Sequence, residues 1–415
     1  MGAERLFEKA CNLGIRGTIR MGAVKWKKLE TDFVFPTAPG RRAVADRILR
    51  KGYKRIVVFE NHFGYKNIMM QRPQHLLRNM GDDETLVLYN SYYDVDYEGR
   101  GRITQIGRSA YVLDMYYYRE YLLKAVKGIK NRYLMVYSTD TVPQRRIEGY
   151  LALGFKVIYE YVDDINPDLI APNKIDEILK RHSALLKDKR VLAVTTADKL
   201  YQNVQAHGGK AKAVQISNGA ECAKFVPGST TGDKQYLDWL DPGKIHVGYY
   251  GALASWVDYE LLGRLAQEQD IQVILIGVEH DGSLRESALL SRDNVRYFGK
   301  KDYESLAGYV HYFDVCIIPL AVNEITRATS PVKLFEYMAM EKPIVTTALP
   351  ECMKYDLVNI AKDKEEFVCM VRKCWAQRDD AERKESLRQC AWDNDWEAKA
   401  KELKIYLSQW EKDEG

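Results

Sequence analysis

Short runs of β-branched and aliphatic residues recur along the chain: RIVVF (55–59), TLVLYN (85–90), YLMVYS (133–138), KVIYEYV (156–162) and VLAVTT (191–196). Amphipathic stretches stand between them, namely RPQHLLRNM, YLLKAVKGIK, VPQRRIEGYLALG and IDEILKRHSALLK. Near-continuous apolar strands alternating with helices predict a parallel sheet covered on both faces. The alternation breaks at NGAECAKFVPGSTTGDKQYLDWLDPGK (218–244), which is rich in Gly, Pro, Asp and Thr and reads as a connection. It restarts with IHVGYYG (245–251), QVILIG (272–277), VRYFG (295–299), DVCIIPL (314–320) and PIVTT (343–347).

The simplest account is an α/β chain of two doubly wound, Rossmann-like units in tandem, over 53–225 and 243–394. Ligands of such sheets bind at the carboxyl ends of the strands, and two facing sheets make a cleft. Asp395 suits the N-cap of a last helix, WEAKAKELKIYLSQW, which needs a surface to bury Trp396, Leu403 and Leu407. Packing of this helix (395–413) back on the first unit would supply one.

Composition narrows the class. With 62 Lys/Arg against 58 Asp/Glu in 415 residues, the net charge of +4 does not suggest a nucleic-acid binder. No run of 18 apolar residues occurs, and the N-terminus lacks an apolar signal-type stretch. Seven scattered cysteines (Cys11, Cys222, Cys316, Cys352, Cys369, Cys374 and Cys390), with no C-x-x-C pair, argue for a reducing cytoplasm and against a zinc site. The segment 1–52 is a basic extension: through Lys51 it holds 12 Lys/Arg against 5 Asp/Glu. Its functional reading is docking on the anionic inner face of the plasma membrane. The alternative is a solvated extension packed on the first unit.

One helix carries candidate chemistry. In SPVKLFEYMAMEKP (330–343), Ser330 suits an N-cap and Pro331 the first helical position. A helix start offers unpaired N–H groups and positive potential, and Lys333 adds a full charge there. An anion such as phosphate would relieve that juxtaposition. Glu336, on the same side, suits neutral hydroxyls such as those of a ribose. Phosphate plus ribose indicates a nucleotide; the alternative is a Lys–Glu pair on a helix packing Leu334, Phe335 and Met338.

NVRYFGKKDYESLAGYVHYFDVCIIPL and SPVKLFEYMAMEKPIVTT, with HVGYYGALASWVDYELL before them, resemble the nucleotide-sugar domain of GT-B glycosyltransferases, in particular family four. QRPQHLL, VIYEYVDDI, VTTADKLY and ISNGAE resemble the first domain of members that build bacterial cell-surface polysaccharides, such as teichuronic acid transferases. The resemblance covers about residues 53 to 411. It implies a transferase moving a sugar from a nucleotide-diphosphate sugar, a UDP-sugar favoured, to a hydroxyl of a cell-surface glycan or lipid-linked acceptor. It further implies retention of configuration, a cytoplasmic setting, and no cofactor or metal. Glu336 would bind the ribose. Lys333, Ser330 and Thr329 would face the diphosphate, together with the backbone of Gly251 and Ala252, and the base would lie near Lys300 and Tyr303.

Three departures stand out. The family carries Glu eight positions before the ribose Glu; here that residue is Ala328, and Glu324 is the nearest upstream acid, expected to reach the donor sugar. GALASWVDY lacks the family's Arg and Lys clamp, so Arg327 is the substitute. Glu341 replaces the glycine before Lys-Pro, which predicts a turn that is not left-handed.

For the acceptor side, Asp163 or Asp164 could deprotonate or orient a hydroxyl, and His62 is the rival base. The alternative for DDINPD is that it caps the following turn. The tyrosines of NSYYDVDY and DMYYYREY could line an acceptor groove or fill space under loops. A non-catalytic GT-B protein that binds a nucleotide sugar or a partner transferase is the competing function, favoured by the departures.

Overall fold

The computed structural model describes residues 38–60, 64–66, 70–97, 102–139, 142–167 and 170–413. His62 and most of the basic extension, residues 1–37, lie outside them. The first sheet has eight strands in the order β3-β4-β2-β1-β5-β6-β7-β8. They are β1 (Arg55–Phe59), β2 (Thr85–Asn90), β3 (Ile103–Gly107), β4 (Ala110–Leu113), β5 (Asn131–Tyr137), β6 (Lys156–Tyr161), β7 (Val191–Thr195) and β8 (Lys212–Gln215). Only the β3–β4 pairing is antiparallel. The second sheet is wholly parallel, in the order β11-β10-β9-β12-β13-β14. Its strands are β9 (Ile245–Tyr250), β10 (Ile271–Ile276), β11 (Val295–Tyr297), β12 (Val315–Ile318), β13 (Ile344–Thr347) and β14 (Asn359–Ala361).

The apolar runs became these strands for the reason their composition suggests. Residues of β1, β2, β7 and β10 are buried on both faces, which parallel sheets flanked by helices require. The strand order reverses at β1/β5 in the first sheet and at β9/β12 in the second, and such switch points are where doubly wound sheets hold ligands. The strands without a strong apolar run, β3, β8 and β14, carry no comparable signal and take their place through pairing with a neighbour.

The last helix, Trp396–Asp413, crosses back and packs on the helix Arg72–Met80 of the first half. Asp395 caps it, accepting from the Glu397 N–H at 2.8 Å, and also accepts from Cys222 N–H at 3.0 Å. Leu403, Leu407 and Trp410 enter the core with Val57, Phe59 and Leu76. Arg55, buried at the start of β1, donates to both oxygens of Glu411 at 2.6 and 2.8 Å.

The stretch 218–244 is firmly placed rather than loose. A short helix, Lys234–Leu237, buries Tyr236 fully in the second core, where its hydroxyl donates to Tyr309 O at 3.0 Å. Loop 322–329 of the second half packs on the helix Asp198–Ala206 of the first, so that Ala328 joins the first half's core beside Leu200 and Val204.

The turn at Glu341 corrects the expectation. Its φ is +57°, a left-handed residue despite its Cβ. The helix Val332–Ala339 ends with Glu341 N–H on Met338 O at 2.9 Å and Lys342 N–H on Tyr337 O at 3.1 Å, and these bonds impose the conformation. Arg388 reaches the Glu341 side chain at 3.1 Å. A left-handed non-glycine residue costs on the order of 1 kcal/mol. Glu341→Gly is therefore expected to raise the midpoint of thermal unfolding, which a calorimetric scan would show; an unchanged or lower midpoint would mean that the Arg388 pair outweighs the backbone strain.

Candidate functional site

The second sheet's switch point builds a floor. β9 runs into Gly251 (φ +150°) and β10 into Gly277 (φ +142°). A Cβ on Gly277 would stand 1.8 Å from the Gly251 carbonyl oxygen, so glycine is required there. A Cβ on Gly251 would meet Lys333 Cε at 2.9 Å. β12 leads through loop 319–331 to the helix Val332–Ala339, whose first turn comes down on this floor. A cavity of ≈ 290 Å³ lies above it. Gly251, Ala252, Lys300, Tyr303, Lys333 and Glu336 all line it, and Gly277, Tyr250 and Lys301 join them. Met70 and Gln71 close it from the first half. Lys301 is committed to Asp233, at 2.8 Å; among the described residues no carboxylate pairs with Lys300.

Glu336 is 3% exposed. Its carboxylate accepts from the Tyr250 hydroxyl and, at 3.1 Å, from the Tyr303 hydroxyl. Burial pushes its pKa up, against the opposing pull of those two phenols and of Lys333. Tyr250 is buried: its ring packs edge-on against Tyr337 at 5.1 Å, and its own N–H donates to the Tyr337 hydroxyl. Tyr303 stands at the rim, against His75 of the first half (5.8 Å), Phe225 (5.6 Å) and the ammonium of Lys224 (5.2 Å).

Lys333 lies over the Tyr249 ring at 5.3 Å. Burial lowers its pKa, and no carboxylate lies within ion-pair distance among the described residues. A desolvated ammonium beside a helix N-terminus has the chemistry that suits an anion.

Loop 322–331 departs from expectation. The helix begins at Val332 with Pro331 as its N-cap, not Ser330. Ser330 Oγ instead accepts from Asn218 N–H at 3.2 Å, and its carbonyl from Asn218 Nδ2 at 2.8 Å, tying the linker to the helix entry. Thr329 Oγ1 donates to Ile325 O at 3.0 Å and closes its own turn. Glu324 is exposed and paired with Lys199 of the first half. Arg327 is exposed. None of these four lines the cavity. Ala328, at the family's Glu position, is buried in the opposite half's core, where a carboxylate would be desolvated without a partner.

On the facing sheet, the two aspartates at the end of β6 separate. Asp164 accepts from the Tyr161 hydroxyl and the Ile165 N–H, both at 3.0 Å, and so fixes the turn. Asp163 has no hydrogen-bond partner among the described residues, and burial with the Asp164 charge raises its pKa to about 6. In the DVD string, Asp96 is buried and accepts from Tyr65 N–H (2.8 Å) and Lys66 N–H (2.6 Å), a structural task.

Two facing parallel sheets, the second with a glycine floor and a Lys/Glu helix at its switch point, define the GT-B fold. Residues 248–377, in the second half of the chain, match the family described as Glycosyl transferases group 1. Over 220 residues it is 26% identical to TuaH of Bacillus subtilis (strain 168), a protein named for teichuronic acid biosynthesis as a glycosyltransferase. That match spans 51% of this chain and 55% of the relative. Among solved structures, sucrose-phosphate synthase from Thermosynechococcus elongatus superposes with a TM-score of 0.59 at 14% identity, covering 86% of this chain and 99% of that one. HepE of Anabaena, in complex with UDP-glucose, gives the same TM-score and identity, with 86% and 99% covered. Among the described residues, no helix is long and apolar enough to cross a membrane.

Proposed function

We propose that this protein transfers a sugar from a nucleotide-diphosphate sugar, a UDP-sugar in our reading, to a hydroxyl of a cell-surface glycan or lipid-linked acceptor. The observation that carries the proposal is the convergence of Glu336, Lys333 and the Gly251/Gly277 floor on one cavity. The Tyr303 phenol on Glu336 occupies the place a ribose hydroxyl would take. Tyr250 is buried, so a ribose would displace the rim residue Tyr303 and bond to Oε1. The diphosphate would then lie over Gly251, against Lys333 and the N–H groups of Val332 and Lys333. There the ammonium and helix dipole would stabilise the charge that grows on the leaving group. Asp163, just after the end of β6, would be the group that orients or deprotonates the acceptor hydroxyl. Retention of configuration is part of the proposal, on the family resemblance. What supports the transferase and UDP-sugar part of this reading is a domain match to glycosyl transferases and UDP-glucose on a protein of the same fold.

Glu336→Gln tests the ribose role while keeping one acceptor for the buried phenols. Titration calorimetry with UDP is expected to show roughly tenfold weaker binding, the loss of a charge-assisted hydrogen bond, with the thermal midpoint little changed. Unchanged UDP affinity would overturn the assignment. A second reading, binding without turnover, is favoured by one observation: Ala328 and the Lys199–Glu324 pair leave loop 322–329 without a carboxylate on the cavity. Release of a nucleoside diphosphate from a donor and acceptor panel separates the two.

A further inference from the structure

The first sheet has its own switch point, at β1/β5, and a second cavity opens beside it. Glu60, the residue after β1, is 2% exposed. Arg119 Nη2 meets its Oε1 at 2.8 Å, Arg146 Nη1 meets its Oε2 at 2.6 Å, and the Tyr150 hydroxyl bonds to Oε1. Each guanidinium spends one terminal nitrogen on this carboxylate. Arg119 Nε is buried with no hydrogen-bond partner among the described residues. Both arginines line a groove of ≈ 580 Å³ between the helices Met115–Ala125 and Gln144–Ala152. Tyr92 and Tyr116, 45% and 64% exposed, flank it, and Lys124 and Lys127 stand along it.

Lys124 is paired with Glu120 at 2.6 Å; no acid pairs with Lys127 among the described residues. Four cations against the carboxylates of Glu60 and Glu120 leave a net charge of +2. Guanidinium groups suit a carboxylate or phosphate, and exposed phenol rings suit the faces of sugar rings. β1 and β6 are two strand spacings apart, about 10 Å, so Glu60 and Asp163, which follow them, stand at the same carboxyl end of the sheet. From this juxtaposition we propose that the groove is an acceptor subsite for an anionic sugar residue of a glycan, some units away from the reacting hydroxyl. The proposal deepens the transferase reading and rests on it.

Titration of the full chain with a hyaluronan-derived tetrasaccharide, which bears a carboxylate on alternate sugars, tests it against neutral chitotetraose. Tighter binding of the acidic tetrasaccharide is expected, weakened at least tenfold in a Lys127→Ala/Tyr116→Ala double variant. Both positions are exposed, so the fold is kept, and a circular-dichroism melt checks this. Arg146→Lys, which keeps the charge near Glu60 but loses the planar fork, is expected to weaken binding as well. Equal binding of acidic and neutral tetrasaccharides, or unchanged affinity in these variants, would overturn the proposal. So would sedimentation with phosphatidylglycerol vesicles in the absence of tetrasaccharide binding, which would make the groove a membrane contact. UDP affinity, measured on the same samples, reports on the donor site alone, so failure there is told apart from failure here.

Discussion

Lys333→Met is expected to lower kcat by about 10²–10³ while leaving the protein folded. The magnitude is that of removing one preorganised charge from a site where negative charge develops in the transition state. The ammonium is desolvated, rests on the Tyr249 ring, and has no anion paired with it among the described residues. Its burial lowers the pKa, so the charged form costs the empty fold stability below that pKa, and methionine of similar length removes the cost. The thermal midpoint is thus expected to stay level or rise. UDP binding should weaken, and KM for the donor should change less than kcat, because the charge on the leaving group grows as the bond to the sugar breaks. A loss of folded protein in place of a loss of rate would make Lys333 a packing residue.

Asp163→Asn is expected to abolish most turnover, a fall of about 10²–10⁴, with nucleotide binding intact. The pH dependence follows from the raised pKa of about 6. A carboxyl that must be ionised to orient or deprotonate a hydroxyl loses its function as pH falls through that value, so wild-type rate should drop on the acid side of pH 6. Stability moves the other way. The folded pKa lies above the unfolded one, so the fold loses stability as pH rises from about 4 to about 6, and the full penalty stands above that range. Asparagine removes the penalty, so the variant should melt no lower than wild type at pH 7, and its advantage should vanish near pH 4. A variant with full activity, or one markedly less stable at pH 7, would return Asp163 to a structural role. Asp164, bonded to Tyr161 and Ile165 N–H, should show the opposite pattern: lost stability on replacement.

Much of the architecture was legible because the apolar runs of parallel strands are continuous and the helices between them amphipathic. RIVVF and TLVLYN became β1 and β2 with their boundaries unchanged. The cavity of the second half was legible in outline too, since Gly251 ends an apolar strand and Lys333 and Glu336 share one helix face. Gly277 ends QVILIG as Gly251 ends IHVGYYG, and that parallel was the available signal for it. Tyr250 and Gln71 had none, because their roles depend on which residues lie across from them.

The loop 322–331 shows where sequence reasoning stops. Glu324, Arg327 and Ser330 were plausible ligands by residue type. Their side chains went elsewhere because the two halves meet there: Glu324 on Lys199, Ser330 on Asn218, Ala328 in the opposite core. Such contacts join positions more than a hundred residues apart, and no local pattern encodes them. Likewise Glu341 is left-handed because the hydrogen bonds ending its helix outweigh the preference of its side chain.

The sequence by itself determined the two parallel sheets, the helix that bears Lys333 and Glu336, and the charge of that helix's first turn, because each follows from local periodicity and side-chain chemistry. Only the tertiary structure decided which of two adjacent aspartates has no hydrogen-bond partner among the described residues, which phenols occupy Glu336, and that Arg119 and Arg146 share one buried carboxylate. Those outcomes depend on burial and on partners distant in the chain, which exist only once the sheets have packed.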